Sequence, residues 1–234
     1  MSPREAIILA GGKAERLGDA ARNKPKPLVP IGGRPLIAYQ IARLRAAGVE
    51  RVLVSCALGT GELFARELTG LDVEIVPVEE PESLGRGGGI RFTARRCTSK
   101  GPIFAQNGDE LLDIDLSVFA DAHRASGALA TIAVAPLVSP FGIVELDESG
   151  FVSGFTEDAP RLPHWVNVGL YVLEREALEY FPNRGDHERT TFPVLAREHK
   201  LFAFRHDGTW LTINTPKQLR LAEEFVSTHP EWLP

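Results

Sequence analysis

The stretch ILAGGKAERLGDAARNKPKPLVP, from Ile8 to Pro30, decides how the chain folds and what it holds. An apolar run from Ala6 to Leu9 reads as a buried parallel strand, and Gly11-Gly12 follows at once, where bare backbone lets amides approach a bound group closely. Lys13, Arg16, Lys24 and Lys26 then put four cations into the loop, and Pro25, Pro27 and Pro30 stiffen the part that carries the last two. A glycine bend followed by a preorganised cationic arm suits a triphosphate.

The remainder of the chain bounds this reading. At 234 residues, with 44% hydrophobic and 24% charged residues, it has room for a sizeable core and the composition of a soluble globular protein. The net charge of -5 offers no general attraction to nucleic acid or to an anionic membrane, so the basic cluster near the N-terminus points to a small anionic ligand. Cys56 and Cys97 lack metal-ligand spacing and read as reduced thiols of a cytoplasmic protein. His187 and the other histidines show no ligand spacing either and read as surface or packing residues. No signal-peptide layout and no run of about twenty apolar residues occurs, so no membrane partner is expected.

Beyond the first strand, Pro35 to Ala47 has helical apolar spacing and Gly48 as its stop. Val52 to Cys56 reads as a strand, Thr60 to Leu68 as a short helix and Val73 to Val78 as a strand. This βαβαβ order predicts a parallel sheet with ligands outside the carboxyl ends of its strands, where the Gly11 loop lies. Ile103 to Gln106 adds a strand ending in Asn107-Gly108-Asp109, and Asp115-Leu116 opens a helix. From Ala128 the pattern turns β-rich, with a hairpin signal at Asp147 to Gly150 between Gly142 to Leu146 and Phe151 to Phe155. Glu174 to Tyr180 and Phe192 to Arg197 read as helices, and Leu201 to Phe204 as a strand. The expected organisation is one domain over residues 1–234 in two halves, 1–127 with the βαβαβ order and 128–234 richer in short strands.

Neither common phosphate fingerprint fits. No G-x-G-x-x-G follows the first strand and no G-x-x-x-x-G-K-[ST] occurs, which disfavours dinucleotide-binding and P-loop proteins. The combination of a strand, Leu9-Ala10-Gly11-Gly12, Arg16 and Pro25-Lys26-Pro27 instead resembles the sugar-1-phosphate nucleotidyltransferases, also called nucleotide-sugar pyrophosphorylases. Ala14 departs from the glycine usual there. The resemblance implies an α/β, Rossmann-like fold, a mixed, mainly parallel sheet flanked by helices in three αβα layers. It also implies Mg²⁺-dependent transfer of a nucleotidyl group from an NTP to a sugar 1-phosphate.

The same resemblance assigns residues. Arg16 and Lys26 would be catalytic. Leu9, Ala10, Gly11, Gly12, Lys13 and Asn107 would cradle the nucleotide, while Glu80 and the glycines Gly85, Gly87 and Gly88 of Leu84-Gly85-Arg86-Gly87-Gly88 would meet its base and ribose; Arg86 replaces the usual threonine. Asp109 is the first expected Mg²⁺ ligand, since hard oxygen donors suit that ion beside substrate phosphates. In WLTINTP, Thr212 stands where the commonest family form has the second aspartate, and Asn214 matches the branch that uses an asparagine, so Asn214 is the second expected ligand. Either Asn214 or Thr215 is also a good cap for the helix beginning at Pro216.

On the sugar side, the resemblance assigns Gly142, Glu157 and Asn167. Asp158 replaces the family lysine that binds the sugar phosphate, leaving Arg161, Arg205 or Lys217 to supply that cation. Among short members the chain most resembles guanylyltransferases acting on mannose or heptose 1-phosphate. A uridylyl- or cytidylyltransferase acting on another sugar or alcohol phosphate needs the same loop and aspartate. Asp158 and Thr212 also motivate a degenerate regulatory subunit that binds nucleotide sugar. A homo-oligomer is compatible with the sequence.

Overall fold

The computed structural model describes residues 2–12, 17, 24–139, 141–157 and 161–232. Its strands are β1 (Glu5–Leu9), β2 (Pro30–Ile31), β3 (Arg34–Pro35), β4 (Arg51–Ala57), β5 (Glu74–Glu80), β6 (Ile103–Asn107), β7 (Glu110–Leu112), β8 (Ala130–Val138), β9 (Ile143–Leu146), β10 (Val152–Thr156), β11 (Arg161–Leu173), β12 (Leu201–Arg205) and β13 (Trp210–Thr212). The α-helices are α1 (Leu36–Ala46), α2 (Gly61–Glu67), α3 (Gly85–Ala94), α4 (Leu116–Ser126), α5 (His187–Arg197) and α6 (Pro216–Thr228).

Seven strands form the central sheet in the order β12-β8-β11-β6-β1-β4-β5. All neighbours run parallel except β11, which is antiparallel to both β6 and β8. The sheet is therefore mixed and mainly parallel, and it draws strands from both halves of the chain. β1 lies between β6 and β4, so the carboxyl end that releases Gly11 opens beside the end of β6.

Strand alternation builds the three layers. Ala6 and Ile8 pack with Ile37 and Ile41 of α1, Phe64 of α2 and Phe119 of α4, whereas Ile7 joins Ile90 of α3 and Phe192 and Leu195 of α5 on the opposite face. Burying each of these Ile, Leu and Phe side chains contributes about 1.5–3 kcal/mol, which holds helices too short to persist alone in water. A third cluster, with Val29, Ile31, Tyr39, Ile213, Leu219 and Trp232, packs α6 over the β2–β3 turn and α1. The Tyr39 hydroxyl donates to Ile31 O at 2.7 Å, fixing the chain just after Lys26.

Two elements differ from the sequence expectation. The segment expected to be a helix from Glu174 is a 3-10 helix, Arg175–Tyr180. The helix expected from Phe192 begins at His187, where Asp186 caps it by accepting from Glu188 N. Thr190, Thr191 and the internal Pro193 hid that start, because β-branched residues and proline weaken a helical pattern. The β9–β10 hairpin forms as expected, with Asp147 accepting from the amides of Ser149 and Phe151. Cys56 and Cys97 are free thiols. Among the described residues no helix is long and apolar enough to cross a membrane.

Candidate active site

The site grows from the ends of β1 and β6. Gly108 N donates to Leu9 O at 3.0 Å, and a Cβ at Gly108 would stand 2.5 Å from that oxygen and 2.8 Å from Pro27 Cγ. Only glycine lets the Lys26-Pro27 turn lie against Asn107-Gly108-Asp109. From that turn the buried Lys26 ammonium donates to Asp109 Oδ2 at 2.6 Å and to Asn214 Oδ1 at 2.5 Å.

Asn214 is delivered by a short ladder that the sequence pattern does not announce. β7 pairs antiparallel with β13, matching Glu110 to Thr212, and Ile213 N continues the ladder by donating to Asp109 O at 2.9 Å. Thr215, not Asn214, caps α6 by accepting from Gln218 N. The Asn214 amide donates instead to Thr212 Oγ1 at 2.6 Å, which turns Oδ1 toward Lys26. Trp210 Nε1 braces the ladder by donating to Glu110 Oε2 at 2.7 Å. Burial, with the charge of Asp109 adding to it, pushes the Glu110 carboxyl up to about 8.

On the outer side of the cleft, Glu80 is buried, accepting from Ser55 Oγ at 2.7 Å and from Leu84 N at 3.0 Å. Gly89 leaves room for this carboxylate, since a Cβ there would lie 2.7 Å from Glu80 Oε1. Gly11 and Gly12 are exposed, and a Cβ at Gly12 would meet nothing within 4 Å. Bare, open backbone thus faces solvent beside the Lys26–Asp109–Asn214 cluster.

A family model described as nucleotidyl transferase matches residues 5–229. The chain belongs to the nucleotidyl transferase family. It is 32% identical to a mannose-1-phosphate guanylyltransferase of Mycobacterium tuberculosis, over 95% of this chain and 62% of that protein. A mannose-1-phosphate guanyltransferase of Candida albicans is 30% identical over 91% of this chain and 62% of its own length. The chain thus spans about three fifths of the length of these curated relatives. Yersinia pseudotuberculosis HddC complexed with GMP-PN shares the fold, with a TM-score of 0.72 at 22% identity, covering 95% of this chain and 99% of that one. So does a putative glucose-1-phosphate thymidylyltransferase of Bacillus anthracis, with a TM-score of 0.74 at 16% identity over 94% of each chain.

In this member of the nucleotidyl transferase family the glycines of the 84–89 segment are required by the protein's own packing. A Cβ at Gly85 would lie 2.8 Å from Gly185 O, one at Gly87 2.7 Å from His187 N, and one at Gly88 2.7 Å from Asn183 O. Gly87 N and Gly88 N both donate to Gly185 O, so the opening of α3 is stitched to the 182–187 loop. Arg86, the replacement for threonine, pairs with Asp186 and in bidentate fashion with Glu188. These ion pairs fix the same loop from its solvent side.

The sugar-side residues divide. A Cβ at Gly142 would lie 2.7 Å from Glu157 Oε2, so the hairpin brings these two together at an exposed edge. Asn167 is hydrogen-bonded within the protein: Nδ2 donates to Tyr171 Oη and Glu188 Oε1, both at 2.9 Å, and Oδ1 accepts from Gly169 N. Asn107 packs on Gly169, whose φ of +76° and bare backbone make room for its amide. Of the alternative cations, Arg161 pairs with Asp207, Arg205 lies over the Trp165 ring, and Lys217 stands exposed in the first turn of α6. Lys13, Arg16 and Asp158 lie outside the described residues.

Asp109 and Asn214 fit the divalent cation expected by resemblance. They present two hard oxygens that already converge on one positive charge, the Lys26 ammonium. Mg²⁺ takes one or two protein donors when phosphates and water complete its shell. Among the described residues no group of three His, Cys, Asp or Glu could hold a metal.

Sequence reading passed over Gln40, whose Nε2 donates to Asn107 O at 2.9 Å and Glu110 O at 2.6 Å. Its signal was present: it is a polar residue between Tyr39 and Ile41 on a helix buried along that stretch.

Proposed function

We propose that the chain transfers a nucleotidyl group from an NTP to a sugar 1-phosphate, with GTP and mannose 1-phosphate as the pair. One observation carries this reading: Lys26, Asp109 and Asn214 meet at a point beside the open Gly11-Gly12 backbone. The names of the curated relatives support the choice of substrates.

A phosphate oxygen of the sugar phosphate attacks the α-phosphorus of the NTP, the bond to the bridging α,β-oxygen breaks, and pyrophosphate leaves with the electron pair. Such a transfer is accelerated by alignment and by neutralising charge on the phosphoryl oxygens, with no covalent enzyme intermediate. Gly11-Gly12 offers amides to the triphosphate. Lys26, already held in position by Asp109 and Asn214, neutralises charge on the oxygens between donor and acceptor. Lys13 and Arg16 are proposed for the leaving pyrophosphate. Asp109 and Asn214 would hold Mg²⁺, which when bound lends Lewis-acid stabilisation to phosphoryl oxygens.

Thr212 is no obstacle to this chemistry, because its hydroxyl orients Asn214. Pyrophosphate release by purified protein with Mg²⁺, screened over four NTPs against mannose, heptose and glucose 1-phosphates, tests the proposal. Turnover should be highest with GTP and mannose 1-phosphate. Nucleotide-sugar binding without turnover for any pair would replace an enzyme with a binding subunit.

A further inference from the structure

Gln40 is 5% exposed, in a stretch of α1 where the neighbouring side chains are apolar and buried. Burying an amide costs free energy unless each polar atom finds a partner. Both hydrogens of its amide nitrogen are used, on Asn107 O and Glu110 O, the carbonyls that flank Gly108-Asp109. One side chain from a helix therefore holds both ends of the turn that carries Asp109.

Its other atom, Oε1, is buried without a hydrogen-bond partner among the described residues, and so is Nε2 of Gln106, itself 6% exposed on β6. One is an acceptor and the other a donor. Both residues line a cavity of about 20 Å³, together with Arg43, Glu110, Leu112 and Leu170. A water needs roughly 10–15 Å³ of such space and two to four polar partners. That volume has room for a water, and an acceptor and a donor without partners belong to two of the residues on its wall.

We propose that Gln40 is the positioning residue for Asp109, and that a single buried water shared with Gln106 completes the clamp. The Asn107-Gly108-Asp109 turn contains a glycine, so it needs an external brace if the carboxylate is to stay aimed between Lys26 and Asn214. Gln40 supplies that brace from the rigid helix. The functional consequence rests on the reading of Asp109 as a metal ligand, and the experiment separates the two.

The test compares wild type, Gln40→Met, which keeps the length without the donors, and Asp109→Asn. Without metal, amide hydrogen exchange over residues 108–112 should accelerate at least about tenfold in Gln40→Met, while β4 stays within about twofold. Mn²⁺ binding to the nucleotide-free protein, followed by electron paramagnetic resonance, should weaken at least about fivefold. Unchanged exchange and unchanged affinity overturn the clamp. If Asp109→Asn retains Mn²⁺ affinity, the metal reading fails, and the exchange measurement still decides the role of Gln40. Should Gln40→Met not fold, Gln40→Asn keeps the amide but shortens its reach and is read the same way. A high-resolution crystal structure of the wild type should show the water bonded to Gln40 Oε1 and Gln106 Nε2, and a dry cavity overturns that part.

Discussion

Lys26 Nζ lies 2.6 Å from Asp109 Oδ2, which ties the proline-stiffened N-terminal loop to the end of β6, 83 residues later. The pair is mostly shielded from water, with the lysine side chain 10% and the aspartate 27% exposed. A cation held this way has a defined position before any phosphate arrives, and under the proposed function its contribution is one of preorganisation.

Replacing that cation should therefore strike turnover. In Lys26→Ala, kcat is expected to fall about 10²- to 10³-fold, while the KM for the NTP changes by less than about fivefold. Steady-state pyrophosphate release gives both constants. A raised KM with unchanged kcat would make Lys26 a binding residue and nothing more, and equal losses in the two would contradict the role given to it.

The Thr212 hydroxyl has a narrower task. It accepts from the Asn214 amide, a bond that favours the orientation with Oδ1 facing Lys26. Thr212→Val preserves shape and should lower kcat about three- to tenfold with little change in melting temperature. Wild-type kcat in this variant would mean that another contact orients Asn214.

The central sheet was legible because each strand carries an apolar run long enough to show its character, as in Ala6 to Leu9 and Val52 to Cys56. The link between Asp109 and Asn214 was legible only through family resemblance. Its physical cause, the β7–β13 ladder, pairs three-residue strands whose braces Glu110 and Trp210 are 100 residues apart, too short for any periodicity to register. The glycine run at Gly87 to Gly89 announced that bare backbone was needed. It did not announce the occupant, which at Gly87 and Gly88 is the protein's own 182–187 loop. Gln40 stayed hidden because a single polar residue in an apolar helix has no local signature of what it will bond.

The two sets of glycines should separate by experiment. A Cβ at Gly88 meets backbone, Asn183 O at 2.7 Å, which cannot swing aside, so Gly88→Ala should cost about 1–3 kcal/mol despite the better helix propensity of alanine. A Cβ at Gly12 meets nothing, so Gly12→Ala should leave the melting temperature unchanged and weaken GTP binding at least about tenfold by blocking the backbone. Chemical denaturation and nucleotide titration of both variants check this. A destabilised Gly12→Ala would mark that glycine as structural.

His187 sets an acid limit on the fold. It is fully buried among Tyr171, Phe181 and Phe192, with ring centroids 4.8 to 5.5 Å away, and neither ring nitrogen has a hydrogen-bond partner among the described residues. Burial lowers its pKa to about 4, and Asp186 offsets only part of that. Between about pH 6.5 and 4 the unfolded chain binds a proton that the folded chain excludes, so stability rises with pH across this window and is lost as pH falls through it. From pH 7 to 5 the loss from this one ring is about 2 kcal/mol. His187→Phe keeps an aromatic ring in the cluster and removes the titration, so its unfolding free energy should fall by about 2 kcal/mol less than that of wild type over the same interval. Urea denaturation at the two pH values measures the difference, in which the carboxylates common to both proteins cancel. Identical losses in the two proteins would assign the acid sensitivity to other groups.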